Sequence, residues 1–545
     1  MTAAENQPDD DTLGDDLGAE RTRAASPSDP GAPTRSGHPA SPTTVGGHDA
    51  GLPELDPGQL GVGDMDADAF RRHGYAVIDW IAGYLDGVED RPVLAQVEPG
   101  EIRGRLPAMP PEAPEPFSDA LADLDALLLD GITHWNHPAF HAYFAITGSG
   151  PGILGEALTA ALNVNGMLWR TSPSATELEE LVIDWLRQLL GMSEGWRGML
   201  SDGASTSTML ALAAARERTD LDVRQRGLAG RPDLPLLRVY TSEQAHSSVE
   251  KAAIALGLGR DGVRAIPVDD AFRMRPDVLA DAIEEDVRFG YRPIAIVATV
   301  GTTATTAVDP LPAIADVRDA AVEELGHPIW LHVDGAYGAV LASCEEHRHI
   351  LDGIERADSL VSNPHKWLFT PMDASVLLLR DPSALAAAFT LIPEYLATDD
   401  GDVTDFMDYG VQLGRRFRAL KLWLVLRYFG AEGVRRRLRE HVRQAARVAA
   451  WVEEHPGLEL VVRPEMSTVV FQLGDEGAAD PTEVDTRSRA LLAHLDAEGV
   501  VLLSGTVLDD HHVLRLALGN LRTTDEHLDR SLAAIERAYR TVHGG

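Results

Sequence analysis

A regular alternation of short apolar runs and longer amphipathic stretches between residues 150 and 410 most constrains how this chain can fold. Apolar runs predict strands at 238–241, 263–268, 294–300 and 329–334, and helical periodicity predicts helices at 247–256, 276–288 and 312–325. Helices of this length between strands that are apolar on both faces are crossover connections, and these require a mainly parallel sheet covered on both sides. The sequence therefore predicts a large α/β domain here.

The segments on either side of this region differ from it in composition and periodicity. Helical spacing at 415–428 and 433–454 is followed by strand patterns at 458–462, 468–473 and 513–518, as in a smaller α+β domain. Residues before about 60 are rich in Asp, Gly, Pro, Ser and Thr and cannot bury enough apolar surface to fold. We therefore expect a disordered acidic tail (1–62), an N-terminal helical segment (63–149), a large domain (150–409) and a small C-terminal domain (410–545).

Composition excludes several classes of function. The net charge of −37 argues against binding to nucleic acid or to anionic membranes, because phosphate contacts need a basic surface. The chain has no apolar run of about 18 residues or more and no secretion-signal pattern, so we expect a cytoplasmic protein. Its single cysteine, Cys344, rules out an internal disulfide or a Cys-based zinc cluster and is expected to be a buried thiol.

Lysine is scarce, and this restricts any chemistry that needs an amine side chain. Of the 48 basic residues only Lys251, Lys366 and Lys421 are lysines. Lys251 and Lys421 lie in helical patterns with charged neighbours, which is typical of solvated lysines. A solvated side chain is the ordinary expectation for Lys366 too, but burial beside His365 and Trp367 would lower its pKa and make it a nucleophile.

Two further constellations could serve a ligand. The run Gly203–Thr208 precedes a helical pattern, so its backbone N–H groups could bind a phosphate, although such a cluster is more often only a helix cap. Asp334 ends an apolar strand and would point into the crevice where α/β proteins bind ligands, where it could keep a pyridine nitrogen protonated. A metal site that uses His332 with Asp334 is the weaker alternative, because no further His or Glu cluster completes it.

A dinucleotide fingerprint occurs in the chain but in the wrong context. Residues 257–262 match the glycine pattern, yet they follow a predicted helix and precede a predicted strand, which is the reverse of what a pyrophosphate site requires. We interpret the segment as a helix end and a turn.

The chain resembles the pyridoxal-phosphate group II decarboxylases, and within them most closely the aromatic-L-amino-acid decarboxylases. The resemblance runs from about residue 65 to the end. It is densest in seven motifs, namely His134–Phe144, Ser172–Glu179, Gln244–Ser248, Gly301–Thr303, His332–Tyr337, Asn363–Trp367 and Leu413–Lys421. It implies fold type I, the PLP-dependent transferase-like fold, pyridoxal 5'-phosphate as the cofactor, no metal, and a homodimer.

The resemblance also implies roles for individual residues. Lys366 would bind the cofactor covalently, Asp334 would pair with the pyridine nitrogen, and His246 would stack on the ring near the substrate carboxylate. Tyr395 matches a mobile-loop residue that returns a proton to the α-carbon, in a loop that reaches a neighbouring subunit's site. The remaining cofactor contacts would come from Ala204, Ser205, Thr303, Asn363 and His365.

The implied reaction is removal of the carboxylate from an aromatic L-amino acid (tryptophan, tyrosine, DOPA or phenylalanine) to give the amine and carbon dioxide. The substrate would lie against Trp135, Tyr143, Phe144, Ile146, Asn165, Met167 and Gly401. Ile146, Asn165 and Met167 depart from the residues usual in the family at these positions. Alternatives are a decarboxylase of histidine, glutamate or diaminobutyrate, an aldehyde-forming relative, or a noncatalytic binding protein.

Overall fold

A seven-stranded sheet forms the centre of the fold in a computed structural model, which describes residues 55–391, 403–474 and 480–543. Its strands are β1 (Arg197–Ser201), β2 (Leu236–Ser242), β3 (Val263–Ile266), β4 (Tyr291–Thr299), β5 (Trp330–Asp334), β6 (Ser359–Ser362) and β7 (Ser375–Leu379). They lie in the order β1-β7-β6-β5-β4-β2-β3. Only β7 runs antiparallel to its neighbours, so the carboxyl ends of the other six strands meet at one edge.

Helices cover both faces of this sheet, as the alternation of the sequence predicts. They are α5 (Gly150–Leu162), α6 (Pro173–Leu189), α7 (Ala204–Glu217), α8 (Val223–Arg226), α9 (Ser248–Ala255), α10 (Pro276–Arg288), α11 (Leu311–Leu325), α12 (Pro364–Trp367) and α13 (Ser383–Phe389). In β4, Ala295 and Val297 pack into the apolar cluster under α7 and α9, whereas Ile296 and Ala298 pack into the cluster on the other face. The predicted parallel α/β sheet is thus confirmed.

The N-terminal segment contains α1 (Pro57–Leu60), α2 (Ala67–Asp86), α3 (Glu101–Arg105) and α4 (Phe117–Asp123). The predicted acidic tail overlaps the described residues at 55–62. There Asp56 is buried, and its carboxylate contacts Arg72 and His73. These ionic contacts hold residues in place that their composition alone predicts to be disordered.

The C-terminal part forms a smaller antiparallel sheet packed on helices. Its strands are β8 (Leu458–Val462), β9 (Thr468–Leu473), β10 (Ser504–Leu508) and β11 (His511–Ala517), and its helices are α14 (Ala419–Glu454), α15 (Pro481–Glu498) and α16 (Asp525–His543). Helix α14 is interrupted at Gly430, whose φ of 64° is left-handed, near the predicted break between two helical stretches. The domain limits at 62, 149 and 409 stay a prediction.

One prediction about the lysines is wrong. Lys421 is only 1% exposed, and its ammonium pairs with the Glu156 carboxylate. The cause is close packing of α14 on α5, since Gly155 lies so near the Lys421 backbone that a Cβ on this glycine would stand 2.7 Å from the Lys421 Cα. Lys251 is exposed and Cys344 is buried, as expected. Among the helices of the described residues, none combines the length and apolarity needed to cross a lipid bilayer.

Candidate active site

The candidate site lies at the edge where the parallel strands end. Strand β5 ends at Asp334, which pairs in register with Thr299 of β4 and with Val361 of β6. Residues paired in register point to the same face of a sheet. His332, two residues earlier on that face, lies 3.4 Å from Thr208 of α7, so α7 covers the face that carries Asp334. The sheet therefore directs the Asp334 carboxylate toward the side of the crevice on which α7 lies.

The turn before α7 presents free backbone donors at this edge. Helix α7 begins at Ala204, its N-cap is Gly203, and no side chain caps it, so the interpretation of Gly203–Thr208 as a mere side-chain cap is wrong. The first helical N–H with a partner is that of Ser207, which donates to the Gly203 carbonyl at 3.0 Å. The N–H groups of Ala204, Ser205 and Thr206 have no partner in the described part of the chain. Such donors at the positive end of a helix suit a phosphate.

Lys366 lies on the short helix α12, directly after β6. Burial lowers the pKa of its ammonium, and the nearby Asp334 charge partly opposes this shift. Its Nζ atom stands 5.2 Å from the centroid of the Phe144 ring. A lysine with a lowered pKa loses its proton more readily and becomes a better nucleophile.

A stack of aromatic rings packs next to this lysine. Phe144 stacks on Tyr337 at 3.8 Å, and Tyr337 stacks on Trp367 at 4.8 Å between ring centroids. The Trp367 indole donates to His441 Nδ1 at 2.9 Å, and all four side chains are buried. Trp367, the residue after Lys366, thus belongs to the same stack of rings as Phe144, which lies next to the Lys366 amine.

The two histidines predicted at the site differ in their surroundings. His246 precedes α9, is exposed, and accepts the Ser248 N–H at Nδ1 over 3.1 Å. Partial desolvation lowers the pKa of His246, and Lys366 and Lys251 add to this shift while Asp334 opposes it. His365 is buried, accepts the Ala374 N–H at Nδ1 over 2.9 Å, and burial lowers its pKa to about 4. Its nitrogen therefore holds the backbone before β7.

Several buried polar atoms at this edge fit a bound cofactor. Asn363 Oδ1 follows β6, Thr299 Oγ1 ends β4 and Asp202 Oδ1 follows β1, and all three are buried without a hydrogen-bond partner in the described residues. Buried polar atoms of this kind need a partner. At the same edge, the free N–H groups of α7 can donate to a phosphate, the Asp334 carboxylate can pair with a protonated ring nitrogen, and the Lys366 amine can bind an aldehyde, so these groups fit pyridoxal phosphate. Thr303 lies exposed in the turn after β4.

The predicted substrate-facing residues fall into two groups. Trp135 stacks on Tyr143 at 5.7 Å, and Tyr143 is 60% exposed next to the buried Phe144. Ile146 is half-buried in the same segment. Asn165 and Met167 lie in the loop between α5 and α6, and their contacts are with residues 405–416 rather than with Lys366. Tyr395 and Gly401 lie outside the described residues.

Sequence reasoning missed Arg515, which lies on β11. Its side chain is 4% exposed, and its guanidinium carbon stands 5.4 Å from the centroid of the Phe144 ring. It donates to the Ala304 carbonyl at 2.8 Å, to Ser504 Oγ at 2.9 Å and to the Tyr143 carbonyl at 3.5 Å, and no carboxylate of the described residues pairs with it. A buried cation without an acidic partner is costly and can receive a ligand carboxylate. No sequence signal separates it from the many other arginines.

Most of the chain matches one known protein family. Residues 99–474 match the model of the pyridoxal-dependent decarboxylase conserved domain. The chain belongs to this family. It is therefore a pyridoxal-phosphate-dependent amino-acid decarboxylase by family, and its cofactor is pyridoxal 5'-phosphate. Within the described residues no three His, Cys, Asp or Glu side chains come together in a way that could hold a metal ion.

Characterised relatives of this decarboxylase include enzymes with different products. It is 36% identical to a phenylacetaldehyde synthase of Arabidopsis thaliana, over 87% of this chain and 96% of the relative. It is 37% identical to tyrosine decarboxylase 2 of the same plant, over 87% of each chain. The aromatic amino acid decarboxylases are thus the branch to which it is similar, and the relatives divide between amine and aldehyde formation.

Solved structures show the same fold. The crystal structure of Oryza sativa TDC with PLP and tryptamine superposes with a TM-score of 0.83 at 34% identity, covering 87% of this chain and 98% of that one. Catharanthus roseus tryptophan decarboxylase in complex with L-tryptophan gives a TM-score of 0.81 at 36% identity, covering 88% and 99%. The predicted fold type I architecture is confirmed.

We expect borohydride reduction of the holoenzyme to fix the cofactor on Lys366. Of the chain's three lysines, Lys251 is solvated and Lys421 is neutralised by Glu156, so only Lys366 combines burial with proximity to Asp334. Peptide mapping after reduction should find the label on Lys366 alone. The Lys366→Ala variant should lose turnover by several orders of magnitude. A label on Lys251 or Lys421 would exclude this assignment.

Proposed function

We propose that this enzyme converts an aromatic L-amino acid into its amine and carbon dioxide at the site formed by Lys366, Asp334 and Arg515. The observation that supports this most directly is that the Lys366 amine and a guanidinium without a carboxylate partner among the described residues both approach the ring of Phe144. An α-amino acid presents an amine and a carboxylate on one carbon, next to its side chain. The site thus offers a partner for each group of the substrate.

The residues around the cofactor have separate tasks. When bound, pyridoxal phosphate would supply an electron-accepting ring. Asp334 would keep the ring nitrogen protonated, because a nearby anion favours the cationic form. The free N–H groups of Ala204 and Ser205 would hold the phosphate, and His246 would lie beside the ring. Lys366 would hold the aldehyde carbon when no substrate is bound, and its Nζ atom would accept and donate protons once it is free.

The substrate carboxylate needs a fixed direction, because the group that leaves as carbon dioxide must be held in one orientation while its bond to the α-carbon breaks. Arg515 is buried and fixed by Ala304 and Ser504, so its position varies little. Its pKa is lowered to about 10 by burial, which still leaves it charged at neutral pH. We assign it the task of orienting the carboxylate, with His246 at the mouth of the crevice.

Two observations favour an aromatic side chain in the substrate. The walls contributed by Trp135, Tyr143 and Phe144 are aromatic, and stacked rings favour another ring. Asn165, the residue that suggests a polar substrate, uses its Oδ1 atom to accept the Arg415 N–H at 2.9 Å. Its amide is thus committed to the protein backbone and contributes less to a polar pocket than the sequence suggests.

We expect a panel of L-amino acids to give the highest kcat/KM for tryptophan, tyrosine, DOPA or phenylalanine. Carbon dioxide and amine release should be measured together for these acids and for histidine, glutamate and diaminobutyrate. A clear preference for one of the last three would overturn the aromatic assignment.

The same panel tests Arg515. In Arg515→Met the KM should rise at least about tenfold for every acid that turns over, because the lost contact is to the group that all of them share. The matched amines, used as competitive inhibitors, lack the carboxylate and should bind as well as before. An equal loss of amine binding would show that Arg515 acts only on the shape of the pocket.

We propose that the enzyme is a homodimer. Helix α5 exposes Leu154, Leu158 and Leu162 by 52%, 51% and 58%, at spacings that place them on one face. Helix α2 exposes Phe70, Tyr75 and Ile78. Apolar faces of this kind mark interaction surfaces.

Sedimentation equilibrium should give twice the mass of the chain. The double variant Leu154→Glu with Leu158→Glu should shift the measured mass to that of one chain. A monomeric parent enzyme would contradict the proposal.

Tyr395 should decide which product forms. The resemblance assigns its phenol the return of a proton to the α-carbon, and phenol-bearing relatives release the amine. Tyr395→Phe should therefore keep carbon dioxide release but shift product toward aldehyde, ammonia and hydrogen peroxide, with dissolved oxygen as the oxidant. Amine and aldehyde should be measured from the same reaction. An unchanged amine yield in the variant would refute the proton-donor role.

A further inference from the structure

Glu179 and Arg415 form a buried ion pair outside the candidate site. Their side chains are 4% and 3% exposed, and Arg415 Nη2 donates to Glu179 Oε1 at 2.6 Å. Glu179 ends one of the motifs that carry the family resemblance, and Arg415 lies in another, yet neither has a role in the chemistry above. Buried charges of this kind are retained only when they are well paired.

One side of the pair holds the edge of the large sheet. Strand β1 lies at the edge of the sheet, with β7 on one side and no strand of residues 55–391, 403–474 or 480–543 on the other. The Leu200 N–H donates to Glu179 Oε1 at 2.7 Å, and the Leu200 carbonyl accepts from Arg415 Nη2 at 2.7 Å. The ion pair thus takes the place of a neighbouring strand at this residue. Leu200 directly precedes the segment Ser201–Gly203, which leads into the phosphate turn of α7.

The other side of the pair holds the loop between α5 and α6, residues 163–172. This substrate-facing loop carries the candidates Asn165 and Met167. The Arg415 N–H donates to Asn165 Oδ1, and the Gly166 N–H donates to the Arg415 carbonyl, both at 2.9 Å. Arg415 Nη1 also donates to the Gly166 carbonyl at 3.4 Å. Met167, the next residue, contacts Asn165 through its sulfur. Arg415 therefore fixes this loop through its backbone and its side chain together.

The segment that follows residues 392–402 reaches the same arginine. The guanidinium of Arg415 lies over the Phe406 ring at 4.6 Å, and the Met407 N–H donates to the Met167 carbonyl at 3.0 Å. The backbone N–H of Trp169 donates to Asp405 Oδ1 at 2.9 Å. The chain that leads away from Tyr395 and Gly401 is thus bound to the substrate-facing loop and to Arg415.

We propose that Glu179 and Arg415 are positioning residues that set the substrate-facing loop in register with the phosphate turn. The pair joins Leu200, before the turn, to Asn165 and Gly166, before Met167. Loss of the pair would let the turn and the loop move independently, which weakens cofactor and substrate binding while Lys366 and Asp334 stay in place. The part about substrate rests on the proposed function, whereas the part about cofactor does not.

The test uses Glu179→Gln with a matched control. The amide oxygen can still accept the Leu200 N–H, but the charge that pairs with Arg415 is lost. The control is Asp286→Asn on α10, which removes the charge from another buried carboxylate, paired with Arg238 at 3.0 Å and with Arg264 at 2.9 Å. Both variants should lower the melting temperature, because each leaves a buried arginine unpaired.

Only Glu179→Gln should change binding. Its cofactor dissociation constant, measured by absorbance without any amino acid, and its KM for the preferred substrate should each rise about tenfold, with kcat within about threefold of the parent. Asp286→Asn should keep all three values. Arg415→Lys keeps the charge but not the fork that contacts Glu179 and Leu200 together, so it should show an intermediate rise in both constants.

Equal cofactor affinity in Glu179→Gln and the parent, with only a lower melting temperature, would overturn the proposal and make the pair purely structural. If Glu179→Gln does not fold, the same measurement on Arg415→Lys decides. Because the cofactor measurement needs no substrate, it stays decisive even if the amino-acid panel contradicts the proposed function.

Discussion

The parallel direction of the strands is the constraint on which the site depends. Because β1, β2, β4, β5 and β6 all end at one edge, residues far apart in sequence arrive together: the phosphate turn after β1, Thr299, Asp334, and Asn363 with Lys366 after β6. Each strand contributes one or two polar groups at its end and apolar residues along its length. Folding the sheet therefore assembles the site, and a change in the register of one strand would displace its contribution alone.

Much of this arrangement could be predicted from local patterns. The strand that ends at Asp334 and the helix at 276–288 follow from apolar periodicity, and the order of turn, aspartate and lysine pointed to the cofactor. In the large sheet, strands β1, β6 and β7 are not predicted, because β1 and β6 are short and half polar and β7 lies close behind the Lys366 motif without a crossover helix. All three lie at the side of the sheet where one strand runs antiparallel, and a period-two pattern does not reveal strand direction.

Individual side chains were harder to predict than elements. Lys421 and Arg515 have ordinary sequence contexts, and their burial depends on partners distant in the chain, Glu156 and the Phe144 segment. Asn165 shows the reverse error: its amide suggests a polar pocket, but the structure commits its oxygen to the Arg415 backbone. Long-range packing decides the role of each of these residues, and a single sequence carries no record of such contacts. The positions of Tyr395 and Gly401 stay a prediction from the resemblance.

The unequal environments of the three lysines have a practical consequence. Lys421 is enclosed by α5 and α14, and Lys366 lies within the crevice where the cofactor binds, whereas Lys251 projects from α9 into solvent. Amine-directed reagents such as succinimidyl esters react with exposed, unprotonated amines. On the holoenzyme, Lys251 is then the one lysine side chain open to such a reagent, so a fluorophore or a solid support attached through a lysine is attached on α9.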